Sequence, residues 1–499
     1  MASYPKLRGL WRRTLLAATA AAIPFAAAPA VHAQGVPALF SDTEVEQTLR
    51  TFFTPIWLAA GLKPDDIHLV LVNSDQLNAF VAGGQNMFFY TGTLEKSDNP
   101  LQIIGVAAHE TGHIADGHLV RSDENMENAS YMMILATVIG AAAAASTGDP
   151  SAAVGALSVG EDMGIRNYLM SSRTIEASAD EAGMKYLEQA HISPRGLLEF
   201  MKKLEVDEGV PLTGDQKYLI DHPPTPDRVE AMVQGLGRSH YADAKLPAGW
   251  DEMYARMKAK LVGYLHPEFA LKKYSRADTS TAGRYGRAVA LWRLGQTAES
   301  LQLIDGLIAQ EPKNPYFYQA KGQILFENGR IAESLPVFKT AASLAPKGTD
   351  EIHTEYAQAL LEKEDDPKNL TIALDELNIA LKAGGDSPGV HRFLAVAYGR
   401  QGHEALAKLE LAEEANLSGK PKAARRMASD AMRQLPAGSR EWLRAQDLIA
   451  ASLAQQRHGR DEDSAGIHFS AGTASGNMSS GFGSTDPDHA LHSGFAPRP

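Results

Sequence analysis

The spacing of apolar and polar positions divides the chain into a short β-rich part and a long helical part. Ser41 and Glu44 have the spacing of a capping box and predict the start of a first helix. Residues 66–73 and 76–92 are rich in β-branched and aromatic residues, which favours strands, and a Gly-Gly pair inside the second stretch predicts a hairpin. From about residue 98 to residue 275 the pattern is helical. We therefore expect a mainly α protein with a small β-sheet near its start.

A second helical region starts at residue 283 and contains an internal repeat. Three landmarks recur at a spacing of 34 residues: a glycine, an Ala-Glu-Ser run and a proline (Gly295 and Gly329, 298–300 and 332–334, Pro312 and Pro346). This period is typical of tetratricopeptide repeats, and degenerate copies follow around 373–383 and 393–415. A single helical hairpin cannot bury its apolar stripe alone, so the copies are expected to stack into an α-helical solenoid with a concave face. An ordinary helical bundle is the alternative.

One segment, residues 131–145 (YMMILATVIGAAAAA), is apolar on all sides. It is shorter than the roughly 20 residues that cross a bilayer, so a buried helix is expected. The alternative is a segment that touches a membrane surface or an unfolded client, which would give the protein a peripheral membrane contact. A membrane-anchored protease is the least supported class, because no segment after the N-terminus is long enough to span a bilayer.

The N-terminus has the three parts of a secretory signal peptide. Basic residues come first, an apolar stretch follows, and small residues lead up to Ala33, so residues 1–33 are predicted to be removed. A retained membrane anchor is the alternative, but Pro24 and Pro29 interrupt the apolar stretch. The chain contains no cysteine, which suits an oxidising bacterial periplasm. We therefore expect a periplasmic protein.

Charge and cysteine content narrow the possible partners and metal ligands. The chain has 48 Lys and Arg against 60 Asp and Glu, a net charge of −12, and losing residues 1–33 makes it more acidic still. Such a surface repels phosphates, so nucleic acid is not expected as a partner. Without cysteine, any metal must be held by histidines and carboxylates.

The segment VAAHETGHIADGH (106–118) contains the main candidate for metal chemistry. Its HETGH core matches the H-E-x-x-H pattern. On a helix, His109 and His113 lie on one face and can bind the same ion, while Glu110 lies beside them within reach of a water on the metal. The alternative is the ordinary polar pattern of a surface helix, because matches of five residues also occur by chance.

A catalytic zinc usually has three protein ligands, so a third ligand is required. One extended form of the motif needs Gly at position 116 and His at position 119. The chain has Asp116 and Leu119 instead, and His118 is one position short and is expected to support the helix. A later helix offers Glu176 as third ligand and Asp180 as hydrogen-bond acceptor for the back nitrogen of a zinc-bound histidine. A solvated acidic helix face is the alternative for this pair.

HETGH followed by an RxxExxAD pattern resembles the zinc metallopeptidase family of the CAAX prenyl endopeptidases and the bacterial heat-shock proteases (Arg173, Glu176, Ala179 and Asp180). With a signal peptide and C-terminal repeats added, about residues 36–455 resemble the periplasmic branch of that family. The resemblance implies an α+β zincin-type domain with one Zn²⁺ per chain, bound by His109, His113 and Glu176. It also implies that Glu110 is the catalytic base.

The same family has an HPPTPDR segment, here residues 222–228. The resemblance implies that His222 reaches the open position on the zinc and blocks it until a client displaces it, since neutral imidazole competes with water for zinc. A loop histidine without a role is the alternative. Arg228 is a candidate donor to the oxyanion of the reaction, as is any tyrosine on the same wall.

These features predict a periplasmic zinc-dependent endopeptidase with a chaperone-like role. Zinc lowers the pKa of water, and Glu110 accepts a proton as that water attacks a peptide carbonyl. Residues 86–92 are candidates to bind the substrate as an added strand. The resemblance implies misfolded or stalled envelope proteins as substrates, with outer-membrane β-barrel proteins and their assembly machinery bound through the repeats. The alternative is a repeat scaffold or chaperone with a vestigial peptidase site.

The expected organisation has four parts: a signal peptide (1–33), a zinc metallopeptidase domain (34–275), a tetratricopeptide repeat domain (276–455) and a Gly/Ser-rich tail (456–499). The tail cannot bury enough apolar surface to fold and is predicted to be disordered. The expected fold class is mainly α: an α+β zincin-type domain with a small sheet, followed by an α-helical solenoid of tetratricopeptide repeats.

Overall fold

A computed structural model describes five continuous ranges and one isolated residue (39–82, 85–117, 173–206, 225–363, 366–467 and His222). Within them the protein is mainly α-helical with one small sheet, which confirms the predicted fold class. The predicted signal peptide, His118 and the apolar segment 131–145 lie outside the described residues.

The first helix, α1 (Thr43–Ala59), forms because its apolar side chains recur on one face. That face is completely buried (Val45, Leu49, Phe52, Phe53, Ile56 and Trp57). The predicted capping box is wrong: Asp42 is the N-cap, and its carboxylate accepts a hydrogen bond from the Val45 N–H at 3.0 Å. Glu44 instead accepts a hydrogen bond from the hydroxyl of Tyr285 at 2.9 Å. Its side chain therefore forms a long-range contact and does not cap the helix.

The sheet has four strands in the order β1-β2-β4-β3 (β1 Leu39–Phe40, β2 His68–Val72, β3 Ala79–Ala82 and β4 Asn86–Tyr90). β3 and β4 pair antiparallel, which confirms the predicted hairpin, and β2 pairs with β4 in parallel. The second strand of the hairpin, β4, ends at Tyr90, two positions before the predicted end at residue 92, because a short helix, α2 (Thr91–Lys96), begins there. One face of the sheet packs on α1, where the rings of Phe53 and Phe89 are 5.1 Å apart.

Among the residues that the structure describes, six further helices follow α2 before the repeat region (α3 Pro100–Ala115, α4 173–189, α5 Arg195–Val206, α6 Pro226–Arg238, α7 Trp250–Leu265 and α8 Pro267–Lys273). α3 begins after Asn99, whose side chain accepts a hydrogen bond from the Gln102 N–H at 3.1 Å. α3 and α5 are in close contact, since a Cβ added at Gly105 would lie 2.5 Å from the backbone nitrogen of Leu197. α3 is thus almost entirely buried in the centre of this domain.

In the described ranges from residue 281 onward, ten helices pack in chain order as successive pairs (α9 Thr281–Arg293, α10 Thr297–Gln310, α11 Pro315–Glu327, α12 Ile331–Leu344, α13 Glu351–Glu362, α14 Pro367–Lys382, α15 Pro388–Arg400, α16 Glu404–Leu417, α17 Pro421–Met432 and α18 Arg440–Ile467). Gly295 and Gly329 occupy equivalent turns after α9 and α11, with φ of +73° and +71°. This left-handed conformation favours glycine and explains why the residue recurs. The assignment of these pairs to the tetratricopeptide class still rests on the sequence period.

The last helix continues to Ile467 and so passes residue 455, the predicted end of the repeat domain. Residues 456–467 contain no proline and include several charged helix formers, so the helix can extend into them. The Gly/Ser-rich part proper, residues 468–499, lies outside the described residues. In the ranges that the structure describes, no helix is both long enough and apolar enough to cross a membrane.

Candidate metal centre

The helix α3 presents the histidines and the glutamate of the HETGH motif from its buried middle. His109 and Glu110 are completely buried, and His113 is nearly so. The Nε2 atoms of His109 and His113 are 3.1 Å apart. The two rings therefore face one point, as the spacing of four residues on a helix predicts.

The helix α4 brings the carboxylate of Glu176 to the same point. Glu176 Oε2 lies 3.3 Å from His109 Nε2, and Glu176 Oε1 lies 3.5 Å from His113 Nε2. The two helices can approach this closely because glycines lie where they cross. A Cβ added at Gly112 would lie 2.8 Å from the carbonyl oxygen of Ala179.

His222 lies in the same cluster and completes a set of four donors. Its Nδ1 atom is 3.2 Å from His109 Nε2 and 3.0 Å from Glu176 Oε2. One ligand atom from each of His109, His113, Glu176 and His222 lies within 4.8 Å of the others, and all four residues are buried. Imidazole nitrogens together with a carboxylate are donors that divalent transition metals accept, so this set fits a metal ion.

Asp180 lies behind the ring of His109, on the side of Nδ1, and Arg228 lies beside Asp180. Asp180 Oδ1 is 2.9 Å from His109 Nδ1. The Arg228 guanidinium donates to both oxygens of Asp180, with Nε 2.6 Å from Oδ2 and Nη2 2.8 Å from Oδ1. Its Nη1 lies 3.1 Å from Glu176 Oε2. Arg228 thus forms ion pairs with both carboxylates, Asp180 and Glu176, of α4.

This position of Arg228 differs from that of the oxyanion donor suggested by the sequence. All three guanidinium nitrogens face carboxylates, and the side chain is buried, so the structure gives no support to a contact with a reacting carbonyl. The physical reason is charge: two buried carboxylates four residues apart on one helix need a cation beside them. The sequence could have indicated this, since an arginine often pairs with acidic residues in a buried site.

The buried groups shift each other's protonation. Burial opposes a charged imidazole, but hydrogen bonds to Asp180 and Glu176 outweigh it and raise the pKa of His109 to about 10. Burial would raise the pKa of Glu176, yet His109 and His222 hold it well below its usual range. The pKa of Asp180 is likewise lowered, against the effect of burial, by Arg228 and His109. Without a metal, the His109 ring therefore stays doubly protonated and charged at neutral pH. A metal that binds this ring must displace the second proton.

The substrate strand expected at residues 86–92 is wrong. β4 lies between β2 and β3 and forms hydrogen bonds to both, so it has no free side for an added strand. Among the strands that the structure describes, β3 (Ala79–Ala82) lies at the edge of the sheet next to β4. β3 also packs against α3, which carries the HETGH motif.

All seven candidate residues named from the sequence lie in one connected buried cluster (His109, Glu110, His113, Glu176, Asp180, His222 and Arg228). Glu110 is part of it through His222, whose Nε2 lies 3.6 Å from Glu110 Oε1. The geometry brings these residues together, and the chemical role of each remains a prediction.

Comparison with known proteins agrees with this arrangement. Residues 43–235 match the model of peptidase family M48, a range that contains the whole cluster. The "Beta-barrel assembly-enhancing protease" of Yersinia pestis is 25% identical over 423 residues, which cover 81% of this chain and 83% of that protein. The protein of the same name from Escherichia coli K12 is 23% identical over 322 residues, 62% of this chain and 64% of that one.

Two further matches are more limited. A "Putative beta-barrel assembly-enhancing protease" of Vibrio cholerae is 25% identical over 261 residues, which cover 50% of this chain and 52% of that protein. Among solved structures, "MamA MSR-1 C2" covers 34% of this chain at 18% identity, with a TM-score of 0.28, below the level of a shared fold.

Proposed function

Because residues 43–235 form a peptidase family M48 domain, we propose that the protein is a zinc-dependent endopeptidase. The observation that carries this proposal is the convergence of His109, His113 and Glu176 from two helices on one buried point. Zinc fits these residues, because imidazole and carboxylate are its usual ligands in hydrolases and the chain has no thiolate to offer. Zinc in this place would polarise the scissile carbonyl and lower the pKa of the attacking water.

Glu110 has the position of a general base. It follows His109 directly in α3, and its carboxylate is completely buried next to the donor cluster. A carboxylate held there can take a proton from the attacking water and deliver it to the leaving amine. Burial also keeps bulk water away from this proton transfer.

Asp180 and Arg228 hold the ligands in place. Asp180 accepts a hydrogen bond from His109 Nδ1, which fixes the tautomer that leaves Nε2 available to a metal. Arg228 neutralises Asp180 and Glu176 together, so that both carboxylates remain ionised in a buried site. We assign both residues a positioning role.

His222 is proposed to inhibit the site in its resting state. Its ring lies among the other three donors, where a substrate carbonyl or a water would otherwise bind. A neutral imidazole in this place competes with both. Displacement of His222 by a bound client would then switch the enzyme on.

The clients are proposed to be polypeptides of the bacterial envelope. The names of the similar proteases connect them with β-barrel assembly, which supports outer-membrane β-barrel proteins and their assembly machinery as clients and partners. We propose that they bind along the stack α9–α18 and that the protein also has a chaperone-like role. The predicted signal peptide supports a periplasmic location.

The alternative, a binding scaffold with a vestigial site, is testable with the purified protein. Metal content per chain and casein digestion should be measured with and without a chelator. We expect one zinc per chain, digestion that the chelator stops, and recovery when zinc is returned. A folded protein that binds no metal and digests nothing would favour the scaffold, and digestion that resists the chelator would exclude a metallopeptidase.

A further inference from the structure

A second group of charged side chains, which shares no residue with the metal centre, lies where the first turn of α1 meets the helical stack. The backbone N–H and the hydroxyl of Thr43 both donate to Glu351 Oε2 of α13, each at 2.7 Å. Gln319 of α11 donates to the hydroxyl of Thr43 at 3.4 Å and to Glu355 at 2.9 Å. The start of the peptidase domain is thereby bound to three helices of the stack, α9 through Tyr285 as well as α11 and α13.

The charges at this junction do not balance. Five carboxyl groups lie close enough there for their charges to interact (Asp42, Glu44, Glu46, Glu351 and Glu355), and α7 supplies two cations. Lys260 lies 2.7 Å from Asp42 and 3.5 Å from Glu44, and Arg256 lies 3.8 Å from Glu44. Within the described ranges, no Lys or Arg lies within 4.0 Å of the carboxylates of Glu46, Glu351 or Glu355.

The other titratable groups around these carboxylates do not supply the missing positive charge. Tyr285 of α9 and Tyr316 of α11 are neutral, and Asp350 beside α13 is a further acid. Arg256 is shared with Glu311, whose carboxylate lies 3.0 Å from its Nη1. Thr43 donates to Glu351, and Gln319 and Gln323 donate to Glu355, which stabilises part of this negative charge. The remaining excess of acids in a partly buried contact favours protonation of some carboxyl groups.

We propose that this junction is a proton-dependent latch, which holds the first turn of α1 on α11 and α13 while carboxyl groups are protonated and loosens when they ionise. Glu46 of α1 is repelled by Glu351 and Asp350 on the other side of the contact, so a proton lost there adds repulsion across it. Glu355 is repelled by Glu351 of the same helix, so its ionisation adds to the negative charge on the α13 side. α1 is also part of the peptidase core. Loosening the latch would therefore change the position of the stack relative to the metal centre and expose the polar inner face of α11 and α13.

The protonation equilibria favour a response near neutral pH. Burial, followed by repulsion from Glu351, raises the pKa of Glu46 to about 8, and the same causes raise that of Glu355 to about 8. Burial raises the pKa of Glu44, against the effect of Lys260. Burial and repulsion from Asp42 raise the pKa of Glu351, against the hydrogen bond from Thr43 and the charge of Lys260. Since a free glutamate has its pKa near 4.3, the folded junction binds the extra protons. The extra protons therefore contribute to the free energy of unfolding. Their contribution is full below the pKa of a glutamate in the unfolded chain and is lost as the pH rises towards 8.

The experiment uses the full chain labelled with two dyes. Because the chain has no cysteine of its own, two introduced cysteines can be labelled selectively. Asp65→Cys, exposed on the peptidase domain, and Asp375→Cys, exposed on α14, provide the labelling sites. Energy transfer between the dyes and the melting temperature are recorded from about pH 6 to about pH 9, a range that spans the expected ionisation. The test variant is Glu46→Gln/Glu355→Gln. Glu404→Gln on α16, whose carboxylate is 76% exposed, is the matched control.

We expect the parent and the Glu404→Gln control to change energy transfer in one step centred near pH 8, with a lower melting temperature above it. The double variant should keep the low-pH transfer value throughout. A parent protein that shows no step, or a double variant that keeps it, overturns the proposal. If the double variant does not fold, hydrogen exchange of the unmodified chain decides. Protection of the amides at residues 43–46 should then fall with rising pH relative to the middle of α1, and equal protection overturns the latch.

Discussion

Gly112 of α3 faces the carbonyl oxygen of Ala179 on α4, and a Cβ added at Gly112 would lie only 2.8 Å from that oxygen. The neighbouring contact is similar, because a Cβ added at Gly183 would lie 3.1 Å from the backbone of Ala108. These close approaches set the distance between the helix that carries His109 and the helix that carries Glu176. The metal centre therefore depends on residues that have no functional groups.

Substituting Gly112→Ala should push α4 away from α3. A shift of this kind misplaces Glu176 relative to the histidines, and we expect metal content to fall and proteolysis to drop by roughly 100-fold. The added methyl group should also cost about 1–3 kcal/mol of stability. Gly237→Ala is the control, since a Cβ there has no atom within 4 Å. It should leave metal content unchanged and raise stability by up to about 1 kcal/mol. Equal metal content and activity in both variants would contradict this account of the helix contact.

Arg228→Ala should destabilise the fold strongly, because it leaves the carboxylates of Asp180 and Glu176 buried without their cation. We expect a loss of about 3–5 kcal/mol in the free energy of unfolding. Arg228→Lys should recover part of this loss, because a lysine carries the charge but cannot form the same fork of hydrogen bonds. Denaturant unfolding and casein digestion together test this. A variant with unchanged stability but much slower digestion would restore the oxyanion role suggested by the sequence.

Glu176→Gln should remove metal while keeping the fold. The amide has nearly the same shape as the carboxylate, but it is a neutral and much weaker ligand for a divalent ion. Glu181→Gln, on the exposed side of α4, is the matched control and should retain full metal content. Metal analysis after dialysis makes the comparison. Retention of a full metal equivalent by Glu176→Gln would remove this residue from the ligand set.

His222→Ala should raise the basal rate of casein cleavage, since it frees the position that the imidazole now occupies among the other donors. Metal should be retained, because His109, His113 and Glu176 remain. His240→Ala is the control, as this histidine is 89% exposed and lies outside the cluster. Initial rates at equal metal content give the answer, and an unchanged rate for His222→Ala would count against self-inhibition.

Much of the metal centre was predictable because helix geometry connects spacing with direction. Residues four apart share a face, so the pair His109 and His113 and the pair Glu176 and Asp180 each had to point the same way. Arg228 was harder to interpret. Its distance from Asp180 along the chain says nothing about contact, and the packing of α6 beside α4 is what brings the two residues together.

The parts that the sequence misjudged depend on long-range contacts. The substrate strand expected at residues 86–92 was one: β2 pairs in parallel with β4, which leaves β3 at the edge, and no local pattern records that pairing. The cap of α1 was another. Ser41 and Asp42 are both good N-cap residues. The contact of Glu44 with Tyr285, 241 residues away, excludes the capping box. The strand pairing and the N-cap of α1 are both set by contacts that form only in the folded chain.

The most direct test of the proposed chemistry is the Glu110→Gln variant, measured for bound metal and for casein cleavage in the same preparation. The substitution removes the base but leaves the three metal donors His109, His113 and Glu176 intact. We predict a full metal equivalent per chain together with a loss of cleavage of about 10²–10⁴-fold. Cleavage at the rate of the unmodified protein would contradict the account.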